Sequence, residues 1–193
     1  MKFDTQCVFL LDYLECVFLP NHRFHMEFLI KNIPKWAASY AGHDICAVLD
    51  IDETILCNMC ENEYINRAGE IVTVGDLFEW NKASIYNPLL PLGRELIECL
   101  RANNVHVFFV SGRTTSILHE TIENFDLLGI QYDVFDIFHQ PDSDKRSVDK
   151  FKSETRKKIL ETHRIMLNVG DQITDMGDEA DINYLLYQPF YIL

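Results

Sequence analysis

Three short, nearly continuous apolar runs punctuate the chain at residues 45–49 (ICAVL), 105–110 (VHVFFV) and 165–169 (IMLNV). Each ends abruptly in a polar cluster: DIDET, SGRTT and GDQITD. Runs that are apolar at successive rather than alternate positions suit strands covered on both faces, as in a parallel sheet between helices. Helical patterns lie between them. Leu92, Leu96 and Leu100 recur every four residues, and Leu118, Ile122 and Phe125 make a second stripe. Residues 150–162 form a charged third segment in which Ile159 and Leu160 are available to pack, and Tyr132 to Phe138 is expected to supply a further strand. Strands alternating with helices predict an α/β fold of Rossmann-like plan, a central parallel sheet flanked by helices and joined by right-handed crossovers.

Two stretches fall outside this rhythm. Residues 5–19 and 23–41 read as N-terminal helices, with Pro34 expected to bend or break the second. His22 and His25 lie there beside an apolar stripe, where histidines are more often structural than ligating. Residues 57–91 are rich in acids and aromatics, and about 35 residues between a strand and the next core helix exceed the usual loop. They are expected to fold as a small helical insert over the carboxyl end of the first strand, where Tyr64, Trp80 and Tyr86, joined by Tyr191, could stack on a leaving group or simply pack. No repeat or Gly/Ser-rich linker divides the chain, so residues 1–193 are expected to make one domain, with 1–41 as a helical segment and 57–91 as a cap-like insert.

Composition narrows the function. At 193 residues with 48% apolar content, the chain can bury a core of its own. Its 17 basic and 30 acidic residues give a formal charge of −13, which repels nucleic-acid polymers and anionic lipid surfaces. No window holds the roughly 18 uncharged apolar residues that a spanning helix needs. Asp4, Asp12 and Glu15 interrupt the apolar start and no small-residue cleavage site follows, so the expectation is an unprocessed, cytoplasmic protein. Its six cysteines are then expected to be reduced, including the C-x-x-C of Cys57 and Cys60, which lacks the second pair or histidines of a zinc site.

The polar clusters carry the chemistry. In open α/β sheets ligands bind at the carboxyl ends of the strands, so Asp50, Asp52, Thr54, Ser111, Lys152, Asp171 and Asp175 are expected to converge there. Four carboxylates in one pocket repel one another unless a cation intervenes, and hard oxygen donors select a hard divalent ion such as Mg²⁺. An ammonium and a hydroxyl are then left to hold the other oxygens of a phosphoryl group. The expected ligand is a small phosphorylated molecule.

These residues resemble a family. VLDIDET (48–54) is similar to the first motif, D-x-D-x-T after an apolar strand, of the haloacid dehalogenase superfamily; FVSGR (109–113) resembles its second, Lys152 its third and GDQITD (170–175) its fourth, in the same order. ETILCN (53–58), FEW (78–80), FKSETRKKI (151–159) and the closing QPFYIL narrow the likeness to the acid phosphatase branch, which holds class B-type plant acid phosphatases, vegetative storage proteins and bacterial class C acid phosphatases.

The resemblance implies roles. Asp50 would be the nucleophile that becomes phosphorylated, and Asp52 the acid that protonates the leaving alcohol and then the base that activates water. Mg²⁺ would be held by Asp50, Asp52 through its backbone carbonyl, Asp171 and Asp175. Thr54, Ser111, Gly112, Arg113 and Lys152 would bind or support the phosphoryl group, Lys152 also pairing with Asp50. Two choices stay open: Arg113 either helps bind phosphate or pairs with a surface acid, and Lys150 competes with Lys152, which aligns better. The expected activity is hydrolysis of a phosphomonoester, such as a nucleotide or sugar phosphate. The alternatives are phosphoryl transfer to another alcohol, or a non-catalytic storage or binding role.

Overall fold

In the computed structural model, residues 19–58, 85 and 87–186 are described. A helix, α1 (Leu19–Ala38), precedes the first strand, β1 (Ile45–Leu49). Then follow α2 (Gly93–Ala102), β2 (His106–Thr114), α3 (Leu118–Leu127), β3 (Ile137–Gln140), α4 (Val148–Ile159), β4 (Arg164–Gly170) and β5 (Ile182–Leu185). The five strands form one sheet in the order β3-β2-β1-β4-β5, and every neighbouring pair is parallel.

Successive residues of a strand face opposite sides, and both sides are apolar here. Ile45, Ala47 and Leu49 of β1 join Val107 and Phe109 of β2 in one core, against Met26, Leu29 and Ile33 of α1, Leu96, Ile97 and Leu100 of α2, and Phe125 of α3. Cys46, Val48, Phe108, Val110 and Ile165 face the other side, where Phe151 and Ile159 of α4 cover them. The result is a three-layer α/β fold, three helices on one face and α4 on the other. The chain winds outward from β1 through β2 to β3, then returns to the far side of β1 as β4. β1 and β4 therefore flank the point where the winding reverses, the usual ligand crevice of such sheets.

Several sequence expectations shift. Pro34 neither breaks nor ends α1, which continues to Ala38. Pro34 removes one backbone donor, but Met26, Leu29 and Ile33 are wholly buried, and their packing holds the helix through the defect. The expected strand at 132–138 starts later: residues 134–136 make a 3₁₀ turn, its start bonded by the Asp133 side chain to the Phe135 amide, and β3 runs to Gln140. Leu160 follows the end of α4 and is 42% exposed, so only Ile159 packs. Cys57 is disulfide-bonded, not reduced, while Cys46 and Cys99 are free. No helix among the described residues is long and apolar enough to cross a membrane. The expected helix at 5–19 apart from Leu19, most of the insert at 57–91 with Cys60, Tyr64, Trp80 and Tyr86, and the C-terminal stretch with Tyr191 lie outside the described residues.

Candidate active site

Strand register aligns the functional clusters. Leu49 pairs with Phe109 on one side and Val169 on the other. The next residues, Asp50, Val110 and Gly170, therefore lie at one level, and Ser111 and Asp171 one step beyond. The Asp50 amide donates to the Val169 carbonyl at 2.9 Å, carrying the ladder one residue past β1.

Immediately after Asp50 the chain coils. The Ile55 and Leu56 amides donate to the Ile51 carbonyl, and Glu53 takes a left-handed conformation, φ 51°. For a residue other than glycine that costs on the order of 1 kcal/mol. The Glu53 side chain accepts the Asn58 amide at 2.8 Å and its side-chain nitrogen at 3.2 Å, which holds the coil shut. Burial, then the nearby Asp52 charge, push the Glu53 carboxyl up to about 8. Thr54 is wholly buried; its hydroxyl has no hydrogen-bond partner among the described residues, and its carbonyl meets His22 Nε2 of α1 at 3.0 Å.

Asp50, Asp171 and Asp175, all buried, each bring a carboxylate oxygen within 4.8 Å of the others. Lys152, buried on the second turn of α4, donates from Nζ to Asp50 Oδ1 at 2.8 Å and also to Asp175 Oδ1. Lys150 is exposed. Burial opposes the Lys152 charge, but the two carboxylates outweigh it and hold the ammonium well above its ordinary range. Burial pushes Asp50 up to about 7, with Lys152 opposing and Asp175 and Asp52 adding to the rise. Asp171 is also raised well above the ordinary carboxylate range, first by burial and then by Asp50. Three buried carboxylates gathered around one ammonium make a cluster that could hold a metal ion. An all-oxygen donor set also suits Mg²⁺ better than a softer metal.

The loop after β4 is held from behind. Asn168 Nδ2 and Arg156 Nη1 donate to the Asp175 carbonyl at 2.6 and 2.8 Å, and the Gln172 amide donates to Asp175 Oδ2 at 2.9 Å. Arg156, nearly fully buried, also meets Glu179 Oε2 at 3.1 Å. Gly170 has no room for a side chain, since a Cβ there would stand 2.3 Å from the Asp175 carboxylate.

The second motif divides. Ser111 is buried, and its Oγ accepts the Arg113 amide at 3.1 Å, leaving its O–H to donate elsewhere. Gly112 lets α4 approach, because a Cβ there would meet Val148 Cγ1 at 2.9 Å. Arg113 turns to Asp52: Nε lies 3.0 and 3.2 Å from the two carboxylate oxygens, and Nη2 lies 2.7 Å from Oδ1. The Asp52 side chain therefore stands apart from the three-carboxylate cluster, and as a metal ligand it would act through its backbone carbonyl alone. Motif reading missed Glu53, Asn58, Arg156 and Asn168. Asn168 had a visible signal, a lone amide inside an apolar strand, and so had Arg156, one helical turn beyond Lys152. Asn58 had none, since its partners arrive by tertiary folding.

Comparison with known proteins then converges on one family. A family model described as HAD superfamily, subfamily IIIB (acid phosphatase) matches residues 23–191. Among solved structures, the class C acid phosphatase from Bacillus anthracis superimposes with a TM-score of 0.71 at 22% identity, over 89% of this chain and 70% of that one. The same enzyme with tungstate bound gives 0.69 at 20% identity, with the same coverage. No curated protein sequence matches.

Proposed function

The chain belongs to subfamily IIIB of the HAD superfamily, the acid phosphatases, and from that premise we propose that it hydrolyses small phosphomonoesters through a phosphorylated Asp50 with Mg²⁺ as its cation. The observation that carries this reading is the buried cluster in which Lys152 bridges Asp50 and Asp175 beside Asp171. A lone structural lysine would need one acid; this one meets two, with a third beside them.

In the proposed mechanism, an Asp50 carboxylate oxygen attacks phosphorus, and the P–O bond to the alcohol breaks as the aspartyl-phosphate forms. Asp52 gives a proton to the departing alkoxide. It then takes one from the water whose oxygen attacks the phosphorus of the aspartyl-phosphate, breaking the P–O bond to Asp50, releasing inorganic phosphate and restoring both side chains. Lys152 orients Asp50 and neutralises charge on the transferring group, and the Ser111 O–H is free to hold a phosphoryl oxygen. Asp50, Asp171 and Asp175, with the Asp52 carbonyl, would hold Mg²⁺, whose chemistry is to withdraw charge from the phosphoryl oxygens. Gly112 lets α4, which carries Lys152, pack against the second motif, and Thr54 supports the coil from inside.

Hydrolysis of p-nitrophenyl phosphate with Mg²⁺ present tests the reading. Activity should vanish with a chelator and in Asp50→Asn, while turnover of that variant at the wild-type rate would overturn the nucleophile. Adding alcohols and analysing products separates hydrolysis from transfer. A screen of nucleotides and sugar phosphates would identify the substrate.

A further inference from the structure

Arg113, with Arg156, is one of the two largest fully buried side chains among the described residues, and it sits two positions past Ser111. Burying a guanidinium costs several kcal/mol unless it is paired and hydrogen-bonded. Each of its three nitrogens donates within the protein. Nε and Nη2 both reach Asp52, Nη2 also lies 3.3 Å from Asn58 Oδ1, and Nη1 donates to Thr121 Oγ1 at 2.9 Å. Thr121 is fixed in turn, donating to the Ile117 carbonyl at 3.0 Å on α3. Asn58 Nδ2 also donates to Asp52 Oδ1, and Asn87 Nδ2 donates to Asn58 Oδ1 at 2.8 Å.

A planar fork anchored at its third nitrogen fixes both position and rotation of the carboxylate it holds, which a lysine cannot do. The Arg113 side chain has no exposed surface and its charge is matched by Asp52, so it adds nothing to the positive charge that a phosphoryl group needs. Among the described residues, Lys152 is the cation on the Asp50 side of the site.

We infer that Arg113 is a positioning residue, which orients the Asp52 carboxylate for proton transfer and does not bind phosphate. The inference rests on the reading of Asp52 as proton donor given above. It has a chemical signature. In the first displacement, an alkyl alcohol needs a proton to leave, whereas p-nitrophenolate departs as a stabilised anion without one. Damage to Arg113 should then fall on alkyl phosphates and spare p-nitrophenyl phosphate.

The test compares kcat/KM for p-nitrophenyl phosphate and for glycerol 2-phosphate in the wild type, Arg113→Lys, Arg113→Gln and Thr121→Val, together with the inhibition constant of inorganic phosphate. The expected result is a loss at least about tenfold larger on glycerol 2-phosphate in the Arg113 variants. A smaller loss of the same selectivity is expected in Thr121→Val, which keeps the guanidinium but removes its anchor. Phosphate inhibition should be unchanged, and Arg113→Lys should add nothing in an Asp52→Asn background. Equal losses on both substrates with weakened phosphate inhibition would make Arg113 a phosphate ligand and overturn the inference. If the Arg113 variants do not fold, Thr121→Val decides: no selectivity there overturns it as well. A wild type inactive on both substrates would instead sink the phosphatase reading, and this inference with it.

Discussion

Lys152 shows how much one residue can carry. Its ammonium meets Asp50 and Asp175 in a space closed to solvent, where removing one partner of a buried pair typically costs 3–5 kcal/mol. Lys152→Met should therefore lower stability by about that amount and reduce kcat/KM on p-nitrophenyl phosphate by at least about 10²-fold, measured by urea unfolding and initial rates. Lys152→Arg should not restore activity, because a planar fork cannot take the place of a compact ammonium between two acids. Gly170 acts through the space it leaves open. In Gly170→Ala the new methyl displaces the Asp175 carboxylate, so Mg²⁺ affinity measured calorimetrically should fall while the strand itself persists. At this scale the residue types were readable from the motifs, Lys152 over Lys150 included. The partner of Arg113 was not, since residues 52 and 113 meet only when β1 and β2 pair.

Elements transmit support to the site. α1 packs beneath the sheet through Met26, Leu29 and Ile33 and reaches the coil after β1 through His22. β2 carries both a core residue and the second motif, with Phe109 wholly buried against Phe125, ring centroids 5.0 Å apart. Phe109→Ala should cost about 3–5 kcal/mol by chemical denaturation, since the cavity lies at the middle of the larger core. The apolar runs revealed β1, β2 and β4 because a strand covered on both faces must be apolar at successive positions. β3 was harder to place, because an edge strand carries fewer buried residues and its start depends on the 3₁₀ turn before it. Pro34 misled for a related reason: local propensity argued for a break, and long-range burial outweighed it.

For the whole molecule, acidity is a stability question as well as a catalytic one. Burial, opposed by carbonyl hydrogen bonds, lowers both His22 and His139 to about 4. In the unfolded chain a histidine titrates near 6.5, so between those values the unfolded state binds more protons. Stability is then fully present above about pH 6.5 and falls as pH drops toward 4, by up to about 3 kcal/mol per histidine. Melting temperature should decline over that window, and His139→Gln should flatten the decline. A cation that binds only the folded state adds stability by mass action, about 2.7 kcal/mol at a hundred times its dissociation constant. Mg²⁺ should therefore raise the melting temperature of the wild type but not of Asp171→Asn.

The order of elements, the double-sided burial of the strands and the polar residues at their carboxyl ends are local properties, written in periodicity, and the sequence alone determined them. Which carboxylates share a cluster is not local. Asp50 and Asp52 lie two residues apart, yet the coil after β1 sends one to Lys152 and the other to Arg113, while strands far apart in sequence bring Asp171 and Asp175 to the first. Strand order and register made that division, because they depend on contacts between distant residues that no stretch of sequence contains by itself. The hold of Arg156 on the Asp175 loop and the grip of Arg113 on Asp52 were decided by the tertiary structure for the same reason.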